Sequence, residues 1–202
     1  MRHHLKVLTC LLAALLIPAA SWSQPPKVPE AVQKANEVLT ALADIDLLLV
    51  LTPLKLSKEQ IGKIKPLLEQ AQSDLMRMEE RNAQALLQLK DEVMTARNEA
   101  LKGKTPSEEL RKKLREADTA ALQLRMKTVD QVVRSLWAKL DGILSDTQKQ
   151  TIYDQAKEQM RAARRPDVDK VSKRELGEFF TQEVLLAPRT LPILEELQKV
   201  SE

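Results

Sequence analysis

Histidine and cysteine are almost missing from this 202-residue chain, and what little there is sits at its very start: His3, His4 and Cys10. If the first 23 residues are removed, no disulfide can form and no Ser–His or Cys–His nucleophile pair can be assembled. A zinc site of the usual Cys/His kind is excluded in the same way. Aromatics are scarce too, at 2% of the chain, and past residue 23 they are Trp137, Tyr153, Phe179 and Phe180. Four isolated glycines (Gly62, Gly103, Gly142 and Gly177) cannot build a phosphate-cradling loop. Carboxylate neighbours such as Glu79–Glu80 or Asp91–Glu92 point to different parts of a helix surface, so they read as solvated charge and not as an acid/base pair. The five methionines Met76, Met78, Met94, Met126 and Met160 would suit only a soft copper(I) site, and core or surface packing is the better reading. The expectation is a protein that is not an enzyme and carries no cofactor and no metal.

What is present begins with a basic start, "MRHHLK", an apolar run, "VLTCLLAALLIPAA", and small residues before "SWSQ". That layout reads as a secretory signal peptide over residues 1–23, cleaved after Ala20 or Ser23. The run is short for a bilayer span, which needs about 20 residues. Two of the 32 basic residues, Arg2 and Lys6, leave with it, so 30 basic groups face 29 acidic ones. Nucleic-acid binding by bulk charge loses its support.

Ala, Leu, Lys, Glu, Gln and Arg dominate the remainder, the composition of long helices. A Pro-rich leader, "QPPKVPE", precedes a first helix over Glu30 to Leu51, with Ala35, Val38, Leu42, Ile45 and Leu49 at 3–4 spacing. Ser57 and Gln60 then form a capping box, and Leu56 and Ile61 a staple. From Ile61 the apolar stripe runs through Ile64, Leu68, Ala71, Leu75, Met78, Asn82, Ala85 and Leu89. The step to Val93 is a stutter. Pro66 predicts a kink early in this helix. Gly103 ends it, and "KTPSEEL" restarts it with Thr105 as cap, Pro106 at the first helical position and Glu108 closing the box. So short a turn predicts an antiparallel helical hairpin, with arms roughly 65 and 50 Å long. Asp141–Gly142 breaks the second arm. Ser145 and Gln148 cap a further helix that "RRP" stops at Pro166, and shorter helices follow, one opened by Ser172 and Glu175.

The opening signals of two of these helices match. "LSKEQIGKI" (Leu56 to Ile64) returns as "LSDTQKQTI" (Leu144 to Ile152), with Leu, Ser, Gln and Ile in the same places. Good capping explains the Ser and Gln. The arrangement, one box opening a long hairpin and another just after it, resembles the Spy/CpxP-type periplasmic family with its two Leu-Thr-x-x-Gln motifs. Serine stands for threonine in both copies here. The resemblance covers about residues 54–166 and gives a division into signal peptide (1–23), leader and first helix (24–53), hairpin domain (54–166) and C-terminal accessory helices (167–202).

The resemblance implies an all-α hairpin protein that pairs into a homodimeric cradle in the periplasm. It implies an ATP-independent stress-response chaperone (holdase) whose partners are unfolded or misfolded envelope proteins. The CpxP-like branch implies instead a regulator docked on the exported domain of a membrane stress sensor. The continuous heptads alone would fit a structural coiled-coil spacer. The motif residues are Leu56, Ser57, Gln60, Leu144, Ser145 and Gln148. By position, Leu56, Ile64, Lys65 and Leu68 match cradle-lining groups, and Arg77, Arg81, Arg125 and Arg134 place charge along the hairpin. These eight are the candidate client-binding residues, although Ile64 and Leu68 also belong to the packing stripe.

Overall fold

The computed structural model describes residues 29–200. The signal-peptide reading and most of the Pro-rich leader lie outside them. The described residues are all-α: α1 (Glu30–Leu51), α2 (Lys58–Leu87), α3 (Lys90–Ala100), α4 (Glu108–Asp141), α5 (Asp146–Ala162), α6 (Lys173–Phe180) and α7 (Thr190–Val200). None of these helices is long and apolar enough to cross a membrane.

Three cross-links fix how α2 and α3 lie against α4. Gln60 Nε2 donates to the Ile143 carbonyl at 3.0 Å, Arg125 forks onto Glu79 at 2.9 Å, and Lys113 meets Glu92 at 2.9 Å. The partner's number falls as the first residue's number rises, so the two arms run antiparallel. α2 continues through Pro66, and the backbone is interrupted instead at Gln88–Leu89. That is where the stripe stutters. An extra step of four turns the apolar face away from its partner, and Leu89 leaves regular helix with φ −91° and ψ −1°.

The cap of α4 differs from the sequence expectation. Ser107, not Thr105, accepts the Leu110 N–H at 3.2 Å. Starting there puts Glu108 and Glu109 together in the first turn, where both carboxylates face the positive end of the helix dipole. Ser107→Ala should therefore cost about 1 kcal/mol, while Thr105→Ala leaves the melting temperature unchanged. Thermal denaturation of the two variants checks this.

The core gathers at the motif end of the hairpin. Leu51 and Leu54 enter from the end of α1 and the turn after it. Ile61, Ile64 and Leu68 come from α2, Leu136 and Leu140 from α4, and Ile152 and Ala156 from α5. The chain after Pro166 joins this same cluster through Leu176, Phe180, Val184, Leu185, Ile193 and Leu194, all buried in it. They are not an appendage to a finished hairpin domain. Gly177 lets α6 lie directly on Trp137, whose ring also meets Tyr153 edge-on at 6.1 Å. A π-helical turn over Thr181–Leu185 then bends the chain towards α7, with the Thr181 hydroxyl donating to the Gly177 carbonyl at 2.8 Å.

Two parts project from this head. One is the distal arm of α2, α3 and α4, which buries little beyond Met78 and Leu110. The other is α1. Its last turns dock through Leu47, Leu48, Val50 and Leu51, and Arg189 grips Asp44 with two bonds of 2.6 and 2.8 Å. The hydrogen bond from Arg189 holds the Asp44 carboxyl below its ordinary value. A depressed carboxylate contributes above its unfolded pKa, and the contribution is lost as pH falls through the folded value. Docking of α1 should thus be insensitive to pH near neutrality and weaken only in acid. In Arg189→Ala the Asp44 midpoint should rise towards the ordinary carboxylate value, which carboxyl-detected NMR titration would read.

Candidate functional site

The two copies of the repeated start signal meet. Each box closes locally as a capping box. Ser57 accepts from the Gln60 N–H at 3.1 Å, and Gln60 Oε1 accepts from the Ser57 N–H at 3.1 Å. Ser145 and Gln148 repeat this at 3.3 and 2.8 Å. The two glutamine amides then face each other, each Nε2 donating to the other's Oε1 at 2.9 Å. Each has one further donor proton, and both spend it across the repeat. Gln60 reaches the carbonyl of Ile143, the residue before Leu144. Gln148 reaches Leu54 at 3.0 Å and Lys55, the residue before Leu56, at 3.4 Å.

Both carboxamides therefore satisfy their full set of two donors and two acceptor sites. The symmetry extends to packing: Leu56 and Leu144 are buried beside the pair, and Ile64 and Ile152 hold equivalent core positions. Lys55, just ahead of the first motif, adopts a left-handed conformation with φ 47°, which turns its carbonyl towards Gln148. This twin clamp locks the first turn of α2 onto the first turn of α5 and so sets the angle between the hairpin and the head. Lys149 stands where the first copy has Ile61. It neutralises Asp141 and Asp146, and the hydrogen bond it donates to Asp146 raises its pKa.

The candidate client-binding residues fall into two groups. Leu56, Ile64 and Leu68 are closed off inside the core, Ile64 at 2% and Leu68 at 0% exposure. Their assignment as cradle-lining groups is corrected: Ile64 and Leu68 belong to the 3–4 packing stripe of α2, and Leu56, just ahead of that helix, is buried in the same core. The others lie at the surface. Lys65 pairs with Glu195 of α7 at 3.1 Å, Arg77 with Asp74 at 2.7 Å and Arg134 with Asp130 at 2.9 Å. Arg125 is held by Glu79, and Arg81 is exposed. Of the eight, Arg125 borders a concave surface.

That surface is an open groove of 690 Å³ between α4 and the α5–α6 side of the head. Met126, Val129 and Val133 line it from α4, Met160 from α5, and Val171 and Phe179 from the segment leading into and along α6. Charge rings it: Arg125, Asp130, Arg165, Glu175, Glu178 and Glu183. Arg165 lies over the Phe179 ring, 5.0 Å from its centroid. Glu175 accepts from Ser172, which lowers its pKa. The apolar strip continues out of the groove along the arm, where Leu122 and Met126 are exposed on one face of α4. The sequence does carry this signal, as the one-residue shift of the α4 stripe to Leu122, Met126, Val129 and Val133. That Met160 and Phe179 complete the groove depends on how the tail folds back.

No cluster of metal-ligating side chains occurs among the described residues. No family model, no curated protein and no solved structure matches this chain.

Proposed function

We propose that this protein is an ATP-independent holdase that takes extended, apolar stretches of unfolded polypeptide into the groove between α4 and the head. The observation that carries this reading is the groove itself, an apolar floor rich in flexible side chains inside a rim of both charges. Its volume accommodates several side chains of an extended segment, not a folded domain. Methionines re-pack around different shapes, which suits clients of unrelated sequence, and the mixed rim meets polar backbone and charge of either sign. The twin-glutamine clamp supports the reading indirectly, since it holds the start of α5, the helix that contributes Met160 to the groove. The resemblance of the motif pair to the Spy/CpxP-type family supports the same role and a periplasmic location.

A charge set in the groove mouth should abolish binding while leaving the fold intact. Met126 is 64% exposed, so Met126→Asp removes apolar contact without disturbing the core. Its affinity for a fluorescently labelled, permanently unfolded polypeptide should fall about tenfold or more, with the circular dichroism spectrum unchanged. Anisotropy titration measures this. Undiminished binding by Met126→Asp together with Val129→Asp would remove the groove from the account.

A further inference from the structure

The outer face of α1 has no partner among the described residues. The side of α1 that docks on the head carries Asp44, Leu47, Leu48 and Leu51. At about 100° per residue, Val38, Leu42, Ile45 and Leu49 fall on the opposite side, and they are 50–68% exposed. Val32 and Leu39 flank them and are exposed as well. Every residue from Pro29 to Ala43 is exposed, and among the described residues nothing covers the apolar stripe of these turns. A solitary helical stretch of that length is marginal in water. A helix apolar on two opposite faces is normally buried on both.

We propose that this face is a self-association surface, where α1 of one copy packs antiparallel on α1 of a second copy. The register follows from the stripe. With the twofold axis level with Thr40, Val38 layers against Leu42, Ala35 against Ile45, and Ala31 against Leu49 of the second copy. The pattern of 3–4 spacing is thus self-complementary in the antiparallel sense, each a-type position facing a d-type one. Charge points the same way. Asp46 at the stripe's edge comes beside the second copy's first turn, the positive end of that helix's dipole, which favours an anion. A parallel pair would bring the two Asp46 carboxylates level with each other.

Six partly exposed aliphatic side chains on a rod about 33 Å long supply no more than the roughly 800 Å² per partner of a standard interface. The pair is therefore reversible, with a dissociation constant in the micromolar range. This surface lies outside the groove and outside the stretch that resembles the Spy/CpxP-type family, so it stands independently of the holdase reading.

Sedimentation equilibrium of the intact exported chain tests it. A monomer–dimer equilibrium across micromolar concentrations is expected, and Leu42→Asp should weaken it about 30-fold or more without altering helicity or melting. Crosslinking tests the register on nearly unchanged chains. In a Cys10→Ser background, Ala31→Cys chains mixed with Leu49→Cys chains should join through a short bis-maleimide. Leu49→Cys chains alone should not, because their two thiols stand about 27 Å apart. A monomer at every concentration, as coverage by the chain's own first 28 residues would give, overturns the proposal. So does a dimer indifferent to Leu42→Asp, or self-joining of Leu49→Cys.

Discussion

Gly177→Ala is expected to destabilise the protein by about 3 kcal/mol or more, lowering its melting temperature by roughly 6–12 °C. A methyl group at this position would sit 2.1, 2.2 and 2.6 Å from three ring carbons of Trp137. Those distances are far inside contact, and the obstacle is rigid. Trp137 is 5% exposed and wedged against Tyr153, so its ring cannot swing away without opening the core. α6 would have to lift off α4, and it carries Leu176 and Phe180 into the core with it.

Gly62→Ala is the matched control, because it is also a helical glycine. There the nearest outside atom is the flexible Gln198 amide at 3.7 Å. That change should stabilise by about 0.5–1 kcal/mol through helix propensity. Trp137→Leu in the Gly177→Ala background should recover part of the loss, since the two sites share one contact. Equal melting temperatures for Gly177→Ala and Gly62→Ala would mean that α6 does not lie on Trp137.

The second large effect belongs to the glutamine clamp. Gln148→Ala should cost about 2–4 kcal/mol, because it strands the Ser145 N–H and the Leu54 carbonyl and takes one partner from each end of the Gln60 amide. Gln60 is less enclosed, so Gln60→Ala should cost less, about 1–2 kcal/mol. The double variant should fall short of the sum by about 1 kcal/mol or more. Additive losses in urea denaturation would show that the two repeats act as independent caps. Gln148→Glu adds a pH test. A carboxylate there has no proton to give and faces two carbonyls, so its folded pKa is raised. The folded state then binds the extra proton more tightly, and this variant should gain stability as pH falls through that raised value.

Local chemistry was legible in the sequence wherever a few neighbouring residues decide the outcome. The boxes at Ser57–Gln60, Ser145–Gln148 and Ser172–Glu175 all close as expected. The stutter between Leu89 and Val93 marks the one interruption between α2 and α3. The Thr105 expectation missed because Ser107 is an equally good cap, and the choice between them turns on where two glutamates sit relative to the helix end. What the sequence withheld are meetings between distant segments. The likeness of the two boxes is plain, but that Gln60 and Gln148 bond to each other depends on α5 folding back onto α2.

Periodicity likewise finds an apolar face without saying what covers it. Ile64 and Leu68 turned out to be sealed, whereas the equally regular stripe on α1 stands open. The difference is set by the tail, which brings Ile193 and Leu194 to α2 and the head while Arg189 clamps α1 by its opposite side at Asp44. No pattern within α1 records which of its two apolar sides that clamp selects.

The central claim is that the groove holds unfolded clients without nucleotide, and aggregation of chemically denatured proteins tests it most directly. Two unrelated denatured proteins would be diluted into buffer with and without this protein, no nucleotide present, and light scattering followed. The account predicts suppression of both at near-stoichiometric amounts, and loss of that suppression in Met126→Asp. Unchanged scattering for both clients would contradict it and leave docking on the exported domain of a stress sensor as the better reading.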